Sequence, residues 1–156
     1  MTDETIVGII PNTHAGFFGN KCYNLVVTNK RLIVTELTSE MIKSEAKKVA
    51  EESKQREEGI FKRFASTAFA GTKYYTRYQS MPINQIISEN PNNFVIEPQM
   101  VKKIRVNFRY VDAEQTRSEN EIRIKWSGGK SIFKFNSIGT KEAKNILEVA
   151  FPSKVK

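Results

Sequence analysis

One cysteine, Cys22, and one histidine, His14, occur in 156 residues, and that scarcity removes whole classes of chemistry. A lone cysteine excludes an internal disulfide framework, and together the two cannot supply the ligand set of a structural zinc site. His14 has no carboxylate near it in sequence and Cys22 no apparent activating base, so neither motivates nucleophilic or acid–base catalysis. No glycine-rich phosphate cradle is present; Gly128-Gly129 reads as a turn. No run approaches the roughly 18 apolar residues of a membrane span, and MTDETIVGII lacks the basic start of a signal peptide. The expectation is a non-enzymatic cytoplasmic protein without cofactor or metal, and without a transmembrane segment. Peripheral association with a membrane stays open. The length suits a single domain with its own core.

Acid is missing from one segment. Residues 59–79 hold Lys62, Arg63, Lys73 and Arg77 and no Asp or Glu. Residues 1–38 balance three acids against three bases, 39–58 hold six against five, and 80–156 carry thirteen bases against eight acids. The net charge of +8 therefore resides in that short aromatic-basic segment and in the C-terminal half. Such an excess suits an anionic partner and also keeps a protein soluble.

What is present is β-rich patterning on either side of a helical stretch. Thr5–Ile10 reads as a strand ended by Pro11 and the loop PNTHAGFFGN. In YNLVVTNKRLIVTEL, a two-residue loop at Asn29-Lys30 sets Val27 against Leu32, Leu25 against Val34 and Tyr23 against Glu36, with one apolar face at period two. Thr38 or Ser39 can cap a helix carrying Ile42, Ala46, Val49 and Ser53, and the helical spacing continues through Ile60, Phe61, Phe64, Ala65, Ala68, Phe69, Tyr75 and Tyr78. Gly71 and Pro82 are the expected breaks. One long rod and a hairpin folded at Gly59 or Gly71 both fit these 40 or so residues.

NNFVIEP is a short strand that Pro98 confines to an edge. Residues 102–111 alternate, with Ile104, Val106, Phe108 and Tyr110 on one side and Lys103, Arg105, Asn107 and Arg109 on the other. After the polar loop DAEQTRSEN, strands at 121–126 and 130–136 flank a Gly128-Gly129 turn, which sets Ile124 against Phe133 and Ile122 against Phe135. Thr140 can cap a closing helix bearing Ala143, Ile146, Leu147 and Ala150, stopped at Pro152.

Three strands, four more strands and a closing helix is the order of a pleckstrin-homology-like barrel. The hairpin YNLVVTNKRLIV resembles that of GRAM and prokaryotic PH-like domains, and NPNNFVIEPQMVKKIRV is similar to the approach to their middle strands. The likeness covers residues 5–37 and 83–151. It implies an α+β fold: an antiparallel β-barrel of about seven strands closed by a C-terminal helix, with 38–82 as a helical insertion in a single domain. It further implies binding of a lipid surface, a peptide or a protein partner. Phe151 stands where eukaryotic PH domains place a tryptophan. The first hairpin loop offers only Lys21 and His14, so the inositol-phosphate pocket of those domains does not carry over.

Three candidate sites follow. If Ile104, Val106, Phe108, Ile122, Ile124, Phe133 and Phe135 face the core, then Arg105, Arg109, Arg123, Lys125 and Lys134 share the outer sheet face. There they could bind phosphates or an acidic partner, or form a solvated face partly neutralised by Asp112, Glu114, Glu119 and Glu121. In the insertion, Phe61, Lys62, Arg63, Phe64, Lys73 and Arg77 could contact an anionic membrane or a partner, including a second copy of the chain; its aromatics could equally pack on the barrel. Phe17 and Phe18, between Gly16 and Gly19, form either an exposed tip or a plug for the barrel mouth. Nucleic acid is disfavoured, because no motif for it is present and the aromatics fall mostly at core-facing positions. The leading reading is a binding module for an anionic membrane surface or a protein partner. The alternative is an assembly protein that self-associates through residues 39–80.

Overall fold

A computed structural model describes residues 3–15, 21–41, 43–44, 47, 74–110, 112–116 and 118–156. Seven strands form one antiparallel sheet: β1 (Ile6–Ala15), β2 (Lys21–Thr28), β3 (Leu32–Leu37), β4 (Phe94–Ile96), β5 (Val101–Tyr110), β6 (Ser118–Trp126) and β7 (Gly129–Phe135). Helix α1 (Ile83–Ser88) precedes β4, and α2 (Thr140–Ala150) follows β7; 3-10 turns occupy Tyr74–Gln79 and Pro98–Met100. The strand order is β4-β3-β2-β1-β7-β6-β5.

The sheet is open, which overturns the closed pleckstrin-homology-like barrel and with it the GRAM and prokaryotic PH-like resemblance. Among the described residues no ladder joins the edge strands β4 and β5. Two local features account for this. β4 is only three residues long and runs into Pro98, which has no N–H to extend a ladder. At the far edge, Ile104 N–H donates to the Lys154 carbonyl at 2.9 Å and Lys156 N–H to the Ile104 carbonyl at 2.8 Å. The C-terminal segment thus occupies part of the β5 edge. Helix α2 does not close a barrel; it packs against β1, β2 and β5, burying Ala143, Leu147 and Ala150. Its N-cap is Gly139, one residue before the expected Thr140.

The β2–β3 register is the expected one: Val27 opposes Leu32, Leu25 opposes Val34 and Tyr23 opposes Glu36. Thr28 Oγ1 accepts the N–H groups of Lys30 and Arg31 and fixes the turn. Contrary to the one-faced reading, both faces of this hairpin are buried. Leu25, Val27, Leu32 and Val34 join the main core with α2, β6 and β7. Val26, Ile33 and Leu37 join a second core with Tyr78 and Ile86, flanked by Tyr75, Met41 and Ile83. The second core exists because α1 and the 3-10 turn at Tyr74–Gln79 cover the outward face. Tyr78 is fully buried and donates its hydroxyl to Glu89 at 2.7 Å.

Pro11 does not end β1. The strand continues through a bulge at which Asn12 takes φ 56° and donates its N–H to Asn24 Oδ1 at 2.9 Å. The β6–β7 turn is also displaced: Trp126 pairs with Gly129, Ile124 with Ser131 and Ile122 with Phe133. A slip of two residues preserves sidedness, so Ile122, Ile124, Phe133 and Phe135 remain buried. Phe108 is not core-facing in effect. It lies 55% exposed, with Tyr110 at 47%, where the β5–β6 hairpin runs past the core, and the two rings meet edge to face at 5.2 Å. The helical reading of the insertion falls largely outside the described residues. Within them, 39–41 are helical with Thr38 Oγ1 accepting the Met41 N–H at 3.1 Å, whereas Tyr75 and Tyr78 sit in a 3-10 turn.

Candidate functional site: a cation cluster on the outer face of β5–β7

Alternation along three paired strands puts every second side chain of β5, β6 and β7 on one face. Pairing arranges these residues in rows. Nearest the β6–β7 turn, Lys103 opposes Lys125, which opposes Lys130. In the next row Arg105 opposes Arg123. Beyond them Asn107, Glu121 and Lys134 form a row, and Arg109 opposes Glu119.

Charge is therefore sorted along the face. At the far end, Glu121, only 3% exposed, lies 3.0 Å from Arg123 Nε and 4.0 Å from Arg109, and Glu119 lies 3.3 Å from Lys134. At the turn end, Lys103, Arg105, Arg123, Lys125 and Lys130 line a cavity of about 170 Å³ whose wall, among the described residues, holds no carboxylate. Like charges directly opposite one another across strands destabilise a sheet. Partial burial, then the neighbouring Arg105, Lys125 and Lys156, pushes the Lys103 ammonium below the usual lysine range. A bound anion would relieve that repulsion.

Of the bases expected on this face, Arg105, Arg123 and Lys125 come together at the cavity. Arg109 and Lys134 share the face but are engaged by Glu121 and Glu119. Lys103 and Lys130 complete the cluster and were not among the expected site residues. Lys103 was legible as the residue two before Arg105 on the same strand face. Lys130 depended on the turn register, since a Gly128-Gly129 loop would have set it against Ser127 rather than Lys125. Glu119, expected in the loop DAEQTRSEN, lies with Glu121 in β6, on the face itself.

Arg77 forms an ion pair with Glu89 at 3.2 Å. Phe17, Phe18, Phe61, Lys62, Arg63, Phe64 and Lys73 lie outside the described residues. Cys22 is half-buried, and burial pushes its thiol above the usual range, away from the reactive thiolate. Among the described residues, no group of three or more His, Cys, Asp or Glu could hold a metal ion, and no helix is long and apolar enough to cross a membrane.

No family model matches the chain, and no curated protein matches it. One solved structure is similar, that of the C-terminal domain of an unknown protein from Leishmania infantum. It is 14% identical, the alignment covers 94% of this chain and 84% of that one, and the TM-score is 0.45.

Proposed function

We propose that this chain is a non-enzymatic binding module that engages an anionic membrane surface through the outer face of β5–β7. The observation that carries the reading is the convergence of Lys103, Arg105, Arg123, Lys125 and Lys130 on one cavity with no acid among its described lining residues. Arginine forks and lysine point charges are the groups that hold phosphate oxygens. A cavity this small is well below the usual 300–1,000 Å³ of a whole-ligand pocket. It suits a headgroup phosphate presented from outside. The paired strands fix the rows in register, so the cations approach a surface together.

Co-sedimentation with phosphatidylcholine vesicles, with and without phosphatidylserine, tests the reading at low and high salt. Binding is expected only to the anionic vesicles and should fall with salt. At about 1 kcal/mol for each basic residue near the surface, the double reversal Lys103→Glu/Lys125→Glu should weaken binding by about thirtyfold or more. Reversal of exposed Lys141 on α2, away from the cluster, should cost far less. Equal losses from both variants would reduce the effect to net charge. No binding at low salt would remove the membrane reading and leave an acidic protein partner or self-association ahead.

A further inference from the structure

A second feature lies at the seam between β1 and β7. Among the described residues one pair, His14 with Lys134, joins these strands, whereas β6 and β7 share seven. A cavity of about 550 Å³ lies beside that pair, and its lining comes from both faces of the sheet. That volume falls within the range of small-molecule pockets.

One wall is aromatic. Tyr23 and Phe133 meet edge to face at 5.9 Å, and Phe94 lines the cavity while stacking on Trp126 at 5.8 Å. The other wall is ionic, with Arg109, Arg123, Lys130 and Lys134 against Glu121, the one carboxylate among the described lining residues. Glu121 is already served by Arg123 at 3.0 Å. Arg109 and Lys134, each with a side chain 46% exposed, keep donors that solvent or a ligand can reach.

We propose that this seam cavity binds a small amphiphilic anion, a carboxylate or sulfonate head on an alkyl or aryl body. The head lies against Arg109 and Lys134 and the body against Tyr23, Phe94 and Phe133. An anionic head without an apolar body would leave the aromatic wall wet. An apolar molecule without a charge would leave the cations unsatisfied. Arg123 and Lys130 border both cavities, but Arg109 and Lys134, which hold the head, do not line the cation cluster, and Lys103 and Lys125 do not line the seam cavity.

Trp126, the single tryptophan, reports on the cavity directly: it stacks on Phe94, and its Nε1–H donates to Ser131 Oγ, a lining residue, at 3.0 Å. Laurate titrated into the full chain should change Trp126 emission saturably, with one molecule bound per chain by calorimetry. Dodecylamine, the same chain with a cationic head, should not bind. Arg109→Ala/Lys134→Ala should weaken laurate by about tenfold or more, as expected for loss of hydrogen bonds to a charged group. Ala15→Phe, which projects a ring into the cavity, should weaken it comparably; if that variant does not fold, the charge variant decides alone. Lys103→Glu/Lys125→Glu should leave laurate affinity unchanged while weakening vesicle binding by about thirtyfold or more, which separates the two sites. Non-saturable laurate binding, dodecylamine of equal affinity, or indifference to Arg109→Ala/Lys134→Ala would overturn the proposal.

Discussion

Gly8 of β1 lies directly against Ile146 of α2, and it permits a quantitative test of that packing. A Cβ built on Gly8 would lie 2.9 Å from Ile146 Cδ1, 3.0 Å from Cγ1 and 3.1 Å from Cγ2. Ordinary carbon contacts are about 3.5–4.0 Å, so any side chain at position 8 must displace the Ile146 side chain by several tenths of an ångström. Gly8→Val adds two further methyl groups in the same direction. Overpacking of this kind costs about 1–3 kcal/mol, against which the better β-propensity of valine returns up to about 1 kcal/mol. The expected net loss is about 1–2 kcal/mol by urea denaturation. Ile146 is half-buried, so Ile146→Ala should cost about 1–2 kcal/mol, less than the full core value. In the double variant the valine fills the space that isoleucine vacates. The two losses should then fail to add by about 1 kcal/mol or more. Strict additivity, or a Gly8→Val protein more stable than the parent, would refute the close approach of α2 to β1.

Two further predictions concern the elements that brace the sheet, beside the vesicle and laurate tests already given. Tyr78→Ala should cost about 3–5 kcal/mol as a fully buried aromatic, and Tyr78→Phe about 1–2 kcal/mol, since Glu89 loses the hydroxyl but keeps Arg77. Equilibrium denaturation measures both, and a loss below about 1 kcal/mol for the alanine variant would remove the second core from the stability of the fold. Glu4 gives a pH signature: burial alone would raise its carboxyl, but hydrogen bonds from Arg31 and Thr28 and the Arg31 and Lys30 charges hold it below the ordinary range. A folded pKa below the unfolded one gives stabilisation that is complete above the unfolded value and fades as pH falls through the folded value. The stability gap between the parent and Glu4→Gln, about 1 kcal/mol near neutrality, should therefore close in acid; a gap that does not shrink as pH falls would contradict the assignment.

The parts of the fold legible in the sequence are those set by local periodicity. The β2–β3 register, the alternation of β5, the edge position of β4 and the α2 stripe all follow from side-chain parity and turn chemistry over a few residues. What was not legible depended on distant partners. Val26 and Ile33 are outward-facing by pattern, yet α1 and Tyr78, about fifty residues away, bury them. Phe108 has core parity, but the core ends before the strand does. Pro11 reads as a strand end because the Asn12 bulge that accommodates it relies on Asn24 of the neighbouring strand. Closure failed as a prediction for the same reason. Seven strands with barrel-like spacing do not determine whether the last edge meets the first, and here the chain's own C-terminal residues occupy part of that edge. The cation cluster was partly legible, since parity gathers Arg105, Arg123 and Lys125, while the membership of Lys130 followed from a turn register that two adjacent glycines leave open.

Among the described residues the single β1–β7 pair marks a seam between two leaves, β4-β3-β2-β1 and β7-β6-β5, each held by its own ladders. A shared apolar filling, α2 laid across β1, β2 and β5, and the Ser137 hydroxyl on the Pro11 carbonyl at 2.8 Å keep the leaves together. The backbone passes from one leaf to the other at the opposite margin, through the turn at Pro98–Met100, so the seam can part while every ladder within a leaf stays zipped. Amides inside a leaf should then trade their hydrogens with solvent as a block, and those flanking the His14–Lys134 pair should trade theirs sooner.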